Sequence, residues 1–209
     1  MAAPDPLYLL PTPAGAWIAS AEAAADRLRA FIRLLLAQPV SPPWRDPDDL
    51  FVRRLGQLGW VQFLAAPRRV SQAPFDDALR SYLPALSAKG SALLADAHGF
   101  HLASSGFSDS AAEALAALSA DLASLHERHR RSLNHNLGLT GSAWAMPDAA
   151  GHSQLAFWPL HVGEHRFALV IAGVPHLNQP ELVDLVWLLH QRYGPLASRT
   201  QLSVSTTIS

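Results

Sequence analysis

Ala92-Leu93-Leu94-Ala95-Asp96-Ala97-His98-Gly99-Phe100-His101-Leu102-Ala103-Ser104 decides how the rest of the chain is read. Ser91 to Ala95 and Phe100 to Ser104 are apolar stretches of strand length. Asp96 to Gly99 between them reads as a tight turn, with glycine where a positive φ is most needed. A long helix then runs from Asp109 to about Arg131 and carries two stripes. Leu115, Leu118, Leu122 and Leu125 form one; Ala112, Ala116, Ser119 and Ala123 form the other, roughly 115° away at about 100° per residue. One stripe covers a sheet, and the small side chains let a second helix approach closely. The other reading puts both stripes in one wide core, or takes the alanines as helix propensity alone.

Downstream, Ser142 to Met146 predicts a strand and Pro147 to Ser153 a polar turn. Gln154 to His161 and His165 to Ala172 predict a hairpin about Gly163. The last helix has Asn178 as its cap and Pro180 in its first turn, carries Leu182, Leu185, Val186 and Leu189 on one face, and stops at Gly194-Pro195. Upstream, a helix begins near Pro74 and is kinked or ended by Pro84. From Ala73 onward the order is therefore α, β, β, α, β, β, β, α.

This order, with the strand Ala92 to Asp96, the turn glycine Gly99, the strand end Leu102-Ala103-Ser104 and the Ala/Leu helix after it, resembles the Roadblock/LC7 family over about 120 residues. The resemblance implies an α/β (α+β) profilin-like fold. Its five-stranded antiparallel sheet would carry the long helix on one side and the two other helices on the opposite side. It also implies a non-catalytic module that dimerises through its third strand and long helix and serves a small GTPase. Ala112, Ala116, Ser119 and Ala123 on the helix, with Ala143, Trp144 and Ala145 on the strand, are the interface residues this suggests. Pro159 departs from the pattern, because a proline in an interior fourth strand removes a ladder hydrogen bond unless it sits at a bulge or strand end.

The first 71 residues have no such match. Leu7 to Leu10 and Ala16 to Ala19 read as strands around Pro11 to Gly15. Ala21 to Ala37 is a helix with Leu28, Phe31, Ile32, Leu35 and Leu36 on one face. A proline-rich connector leads to a helix capped by Asp48 or Asp49 that runs to Leu58, and Trp60 to Leu64 is β-prone. Strand, strand, helix is the order of a truncated half-module. The other reading is a small winged-helix-like element, in which Asp48 to Leu58 is the last helix and Trp60 to Leu64 opens the wing. The division expected is 1–71, 72–194, and a flexible tail from 195 to 209.

Composition narrows the function. The chain has 209 residues, 49% apolar and only 16% charged, which leaves surface for a partner to cover. Net charge is −1, about +2 in residues 1 to 71 and about −3 in the remainder, so nucleic acid is a poor partner. No cysteine is present, which removes disulfides, thiolate metal sites and cysteine nucleophiles. The start lacks a basic region before its apolar run, and no later run approaches the ~20 residues that span a bilayer. A cytoplasmic protein without membrane insertion is expected.

His161-Val162-Gly163-Glu164-His165 spells the zinc-peptidase pattern H-x-x-E-H, which works only on a helix, where positions i and i+4 share a face. Here it falls on a hairpin. His126 and His129 sit in a cationic run, Leu125 to Arg131, that offsets the negative end of a helix dipole. Gly138-Leu139-Thr140-Gly141-Ser142 lacks the lysine of a P-loop, and the chain's only lysine is Lys89. No nucleophile elbow or carboxylate pair suggests catalysis. The expectation is a homodimeric, non-enzymatic adaptor or regulator of a small Ras-like GTPase, with no cofactor and no metal. The alternative is a DNA-binding protein whose N-terminal winged helix is dimerised by the Roadblock-like part.

Overall fold

The computed structural model describes residues 6–44, 46 and 49–195. The expected flexible tail, from Leu196 to Ser209, and Asp48 as a cap lie outside these residues. The chain divides into two compact units, one of Met1–Ala73 with Val162–Glu164 and Asn178–Ser209, the other of Pro74–His161 with His165–Leu177.

The first unit opens with β1 (Leu7–Pro11), as expected, but the next segment is a helix, α1 (Pro13–Ser20), and not a second strand. Thr12 is the reason. Its side chain accepts from the backbone N–H of Gly15, and Pro13 occupies the first helical position, where no N–H is needed. Proline either side of a threonine reads as a turn, yet the same residues form a capped helix start. Gly15 is required there, because a Cβ would overlap the carbonyl oxygen of Trp60.

α2 (Arg27–Leu36) starts later than its apolar spacing suggests, since Asp26 caps it by accepting from the Arg29 N–H at 2.8 Å. Ile32, Leu35 and Leu36 are its buried face. A short β2 (Pro43–Trp44) interrupts the proline-rich connector. α3 (Leu50–Gln57) is capped by Asp49, and Gly59 follows with φ of 70° before β3 (Val61–Leu64). The sheet order is β2-β1-β3, with β3 antiparallel to β1 through Tyr8↔Leu64 to Pro11↔Val61. β3 is thus an edge partner of β1. Between β3 and residue 73 the described residues form only an isolated bridge, Val40↔Arg69, so no wing hairpin follows β3 there. Neither the half-module nor the winged helix describes this unit.

α6 (Pro180–Tyr193) belongs to the first unit and packs against α1 and α2. Gln179, not Asn178, stands at its cap, without a side-chain cap bond. Trp187, 1% exposed, donates its indole N–H to the carbonyl of Gln38 at 2.7 Å, and Gln191 donates to the carbonyl of Leu36 at 2.8 Å. The Leu36 carbonyl is in the last turn of α2, where a helix has no partners of its own, and Gln38 lies just past its C-cap, Ala37.

The second unit follows the expected order closely. α4 (Phe75–Tyr82) gives way to a 3-10 turn, Leu83–Leu86, at Pro84. β4 (Ala92–Asp96) and β5 (His101–Ser105) pair antiparallel about Gly99, whose φ is 87°. The Asp96 carboxylate accepts from the N–H groups of His98 and Phe100 and fixes the turn. α5 spans Asp109–Arg131, capped by Ser108, and continues into a π-helical turn, Ser132–Asn136. β6 (Trp144–Pro147), β7 (Ser153–Val162) and β8 (His165–Ala172) complete a five-stranded antiparallel sheet of order β5-β4-β8-β7-β6. Pro159 lies in interior β7, but two residues beyond the last β6 partner, Phe157, so the β6 ladder loses no bond to it.

α5 lies on the sheet face formed by Leu93, Ala95, Phe157 and Val170. α4 and the 3-10 turn pack against β5 and β4.

Candidate functional site

The small-residue stripe of α5 faces the chain's own sheet. Ala112 and Ala116 are fully buried and Ser119 is 4% exposed, in one cluster with Leu93, Ala95, Phe157 and Val170. Ser119 turns its hydroxyl back to the Ala116 carbonyl at 2.7 Å, so a polar group survives burial without a partner helix. The β4–β5 turn comes close beside this stripe: a Cβ on Gly99 would lie 3.1 Å from the Cα of the exposed Ala117 and 3.3 Å from the Ala116 carbonyl oxygen. The expectation of a second helix on Ala112, Ala116 and Ser119 is therefore corrected. Close approach does occur on this stripe, but it is made by strands and a turn of the same chain.

The other stripe is the more open one. Leu115 and Leu122 flank the core half-buried, while Leu118 is 39% exposed. Ala123 is half-buried and lines a small cleft, open to solvent, with Ser119, Leu122, Trp144, Phe157 and Arg166. The other suggested residues lie on or beside β6, an outer strand of the sheet. Trp144 packs on the core cluster, with the His126 ring edge-on at 6.3 Å, whereas Ala143 and Ala145 are exposed and Met146 is 53% exposed. The structure thus brings Ala123 and Trp144 to one cleft, and leaves Ala143 and Ala145 on an open strand edge. Leu118 was legible in the stripe, but not as the exposed member; Met146 carried no signal beyond hydropathy.

The histidine motif sits on a hairpin. β7 ends at Val162, Gly163 turns with φ of 58°, and β8 begins at His165, so the i, i+4 geometry of a helical zinc site does not arise. Among the described residues no three of His, Asp and Glu gather as a metal site would require. At the end of α5, Arg128 and Arg131 are exposed and Arg130 pairs with Glu127 at 3.2 Å. No helix among the described residues is long and apolar enough to cross a membrane.

A five-stranded antiparallel sheet of this order, with one long helix laid on a face, is the mixed α/β architecture that the Roadblock/LC7 resemblance implies. Its neighbours among solved structures are Roadblock/LC7 proteins. The Roadblock/LC7 domain from Streptomyces avermitilis matches 57% of this chain and 98% of its own length, at 18% identity and a TM-score of 0.40. MglB of Myxococcus xanthus matches 57% and 83%, at 17% identity and a TM-score of 0.33. The gliding protein MglB from Thermus thermophilus matches 60% and 94%, at 20% identity and a TM-score of 0.36. No family model and no curated protein matches the sequence.

Proposed function

We propose that this chain is a non-catalytic homodimeric adaptor or regulator of a small Ras-like P-loop GTPase, acting in the cytoplasm without a cofactor. The observation that supports it is the arrangement of the second unit, in which the outer strand β6 and the exposed Leu118 of α5 remain uncovered. A two-fold axis beside β6 would continue the sheet from one subunit into the next and set the two α5 helices side by side, an isologous contact. The paired helices would then offer one composite face to a partner, built from two copies of the same residues. Regulation requires that this face distinguish the partner's two nucleotide states, since equal affinity for both shifts nothing. The switch loops, ordered by the γ-phosphate, are where that distinction arises.

The test is to isolate proteins that bind the tagged chain in its own cell and to measure affinity for any small GTPase among them, loaded with GDP or with a non-hydrolysable GTP analogue. A preference of about tenfold, roughly 1.4 kcal/mol, is expected. Equal affinities would reduce the role to a scaffold, and the absence of any bound GTPase would defeat the proposal.

A further inference from the structure

We propose that the turn closing the long helix α5 is a docking surface for an anionic lipid bilayer. The turn is well defined. The π-helical segment Ser132–Asn136 is capped by Leu137 and followed by Gly138, with φ of 67°, and the Leu139 N–H closes back on the Leu133 carbonyl at 2.9 Å. Surface turns favour residues that bond locally or accept a positive φ, such as Gly, Asn, Asp and Ser. Here the two residues flanking Gly138 are leucines, Leu137 at 65% exposure and Leu139 at 54%. Leaving two leucines in water is unfavourable, so this tip is suited to an apolar environment outside the chain.

Charge supplies the rest. Residues 127–132 and 135–141 are all exposed, and they place Arg128, Arg130 and Arg131 just behind the leucines. The only acid between His126 and Thr140 is Glu127, which pairs with Arg130 at 3.2 Å. An apolar tip with a cationic collar matches the layering of an anionic bilayer surface. Leucines enter the boundary between headgroups and acyl chains, and arginines hold their charge at the phosphates on long stems. A nucleic acid would engage the arginines through phosphates and leave the leucines unused. The contact is peripheral and independent of any GTPase.

The full chain should be sedimented with vesicles of phosphatidylcholine containing about three-tenths phosphatidylglycerol, and with phosphatidylcholine alone, in about 0.1 M salt. Binding is expected to the anionic vesicles only and is lost in about 0.5 M salt, where the screening length is a few ångströms. Leu137→Ser with Leu139→Ser, and separately Arg128→Gln with Arg131→Gln, should each weaken binding about tenfold. Circular dichroism and light scattering should show both variants folded and unchanged in oligomeric state. The arginine pair, replacing exposed side chains, keeps the test in force should the leucine pair not fold. The proposal is overturned by no binding, by equal binding to neutral vesicles, or by undiminished binding of either folded variant. A leucine variant with altered oligomeric state would also overturn it, by assigning the tip to a second copy of the chain.

Discussion

One guanidinium nitrogen of Arg68, Nη2, donates to both carboxylate oxygens of Asp184, at 2.8 and 2.6 Å, across 116 residues of chain. Burial pushes the Asp184 carboxyl above its ordinary range even though Arg68 opposes this, so desolvation outweighs the pairing. The pair therefore ties α6 to the segment before residue 73 while holding a carboxylate that prefers not to be there. Arg68→Ala leaves that carboxylate without its cation and should cost about 1–3 kcal/mol in urea unfolding. Asp184→Asn should cost less, and the double variant less than the sum of the two, because the burden on Asp184 disappears with its charge.

Gly15 is predicted to tolerate no side chain. Its neighbour in the way is the Trp60 backbone carbonyl, which also accepts the Thr12 N–H at 3.0 Å and so cannot swing aside. Gly15→Ala should destabilise by about 2–3 kcal/mol, although alanine is the better helix former. A thermal melt showing no loss would mean that α1 does not sit against Trp60 as described.

His190 gives the first unit a sensitivity to acid. It is 2% exposed on α6, its Nε2 has no hydrogen-bond partner among the described residues, and burial, aided by Arg33, pushes its imidazole down to about 3. The folded state resists a proton that the unfolded state accepts below its ordinary value near 6.5. Stability is thus complete above about pH 6.5 and falls by up to about 1.4 kcal/mol per unit as the pH drops toward 3. His190→Leu should flatten that part of the profile. Equal slopes between pH 6 and 4 for the two proteins would show that the histidine is not held neutral.

The two stripes of α5 separate folding from assembly. Ala116→Arg puts a charge into the fully buried face and should unfold the second unit, a loss of several kcal/mol. Leu118→Arg lies on the exposed stripe and should leave circular dichroism unchanged while halving the mass seen by light scattering. A monomeric parent protein would end the dimer proposal.

The second unit was legible because its signals are local. Asp109 and Arg131 bound α5 as the sequence suggests, since Ser108 and Asp109 sit at the start and the cations at the end. The orientation of that helix was not legible. Periodicity separates faces, but which one turns inward depends on how the helix packs on the sheet, where Ala112 and Ala116 share a core with Leu93, Ala95, Phe157 and Val170. In the first unit, Thr12 between two prolines fits a turn and a cap equally well in sequence, and only the packing of Gly15 on Trp60 selects the helix. Likewise β3 looks the same whether it opens a hairpin or joins a strand 50 residues earlier. Its pairing with β1 is a long-range fact that no local pattern carries.

The bond from Trp187 to Gln38 spans 149 residues, and it bears on how the protein is made. A ribosome adding about 5–20 residues per second leaves roughly 7–30 s between the appearance of the two. During that interval Ile32, Leu35 and Leu36 have been synthesised, yet the helix that packs with theirs has not. The nascent chain thus displays a greasy patch for far longer than folding itself takes, while the contiguous hairpin of β4 and β5 can close as soon as it emerges. Slowed translation between these segments should lengthen the dependence on chaperones without altering the finished molecule.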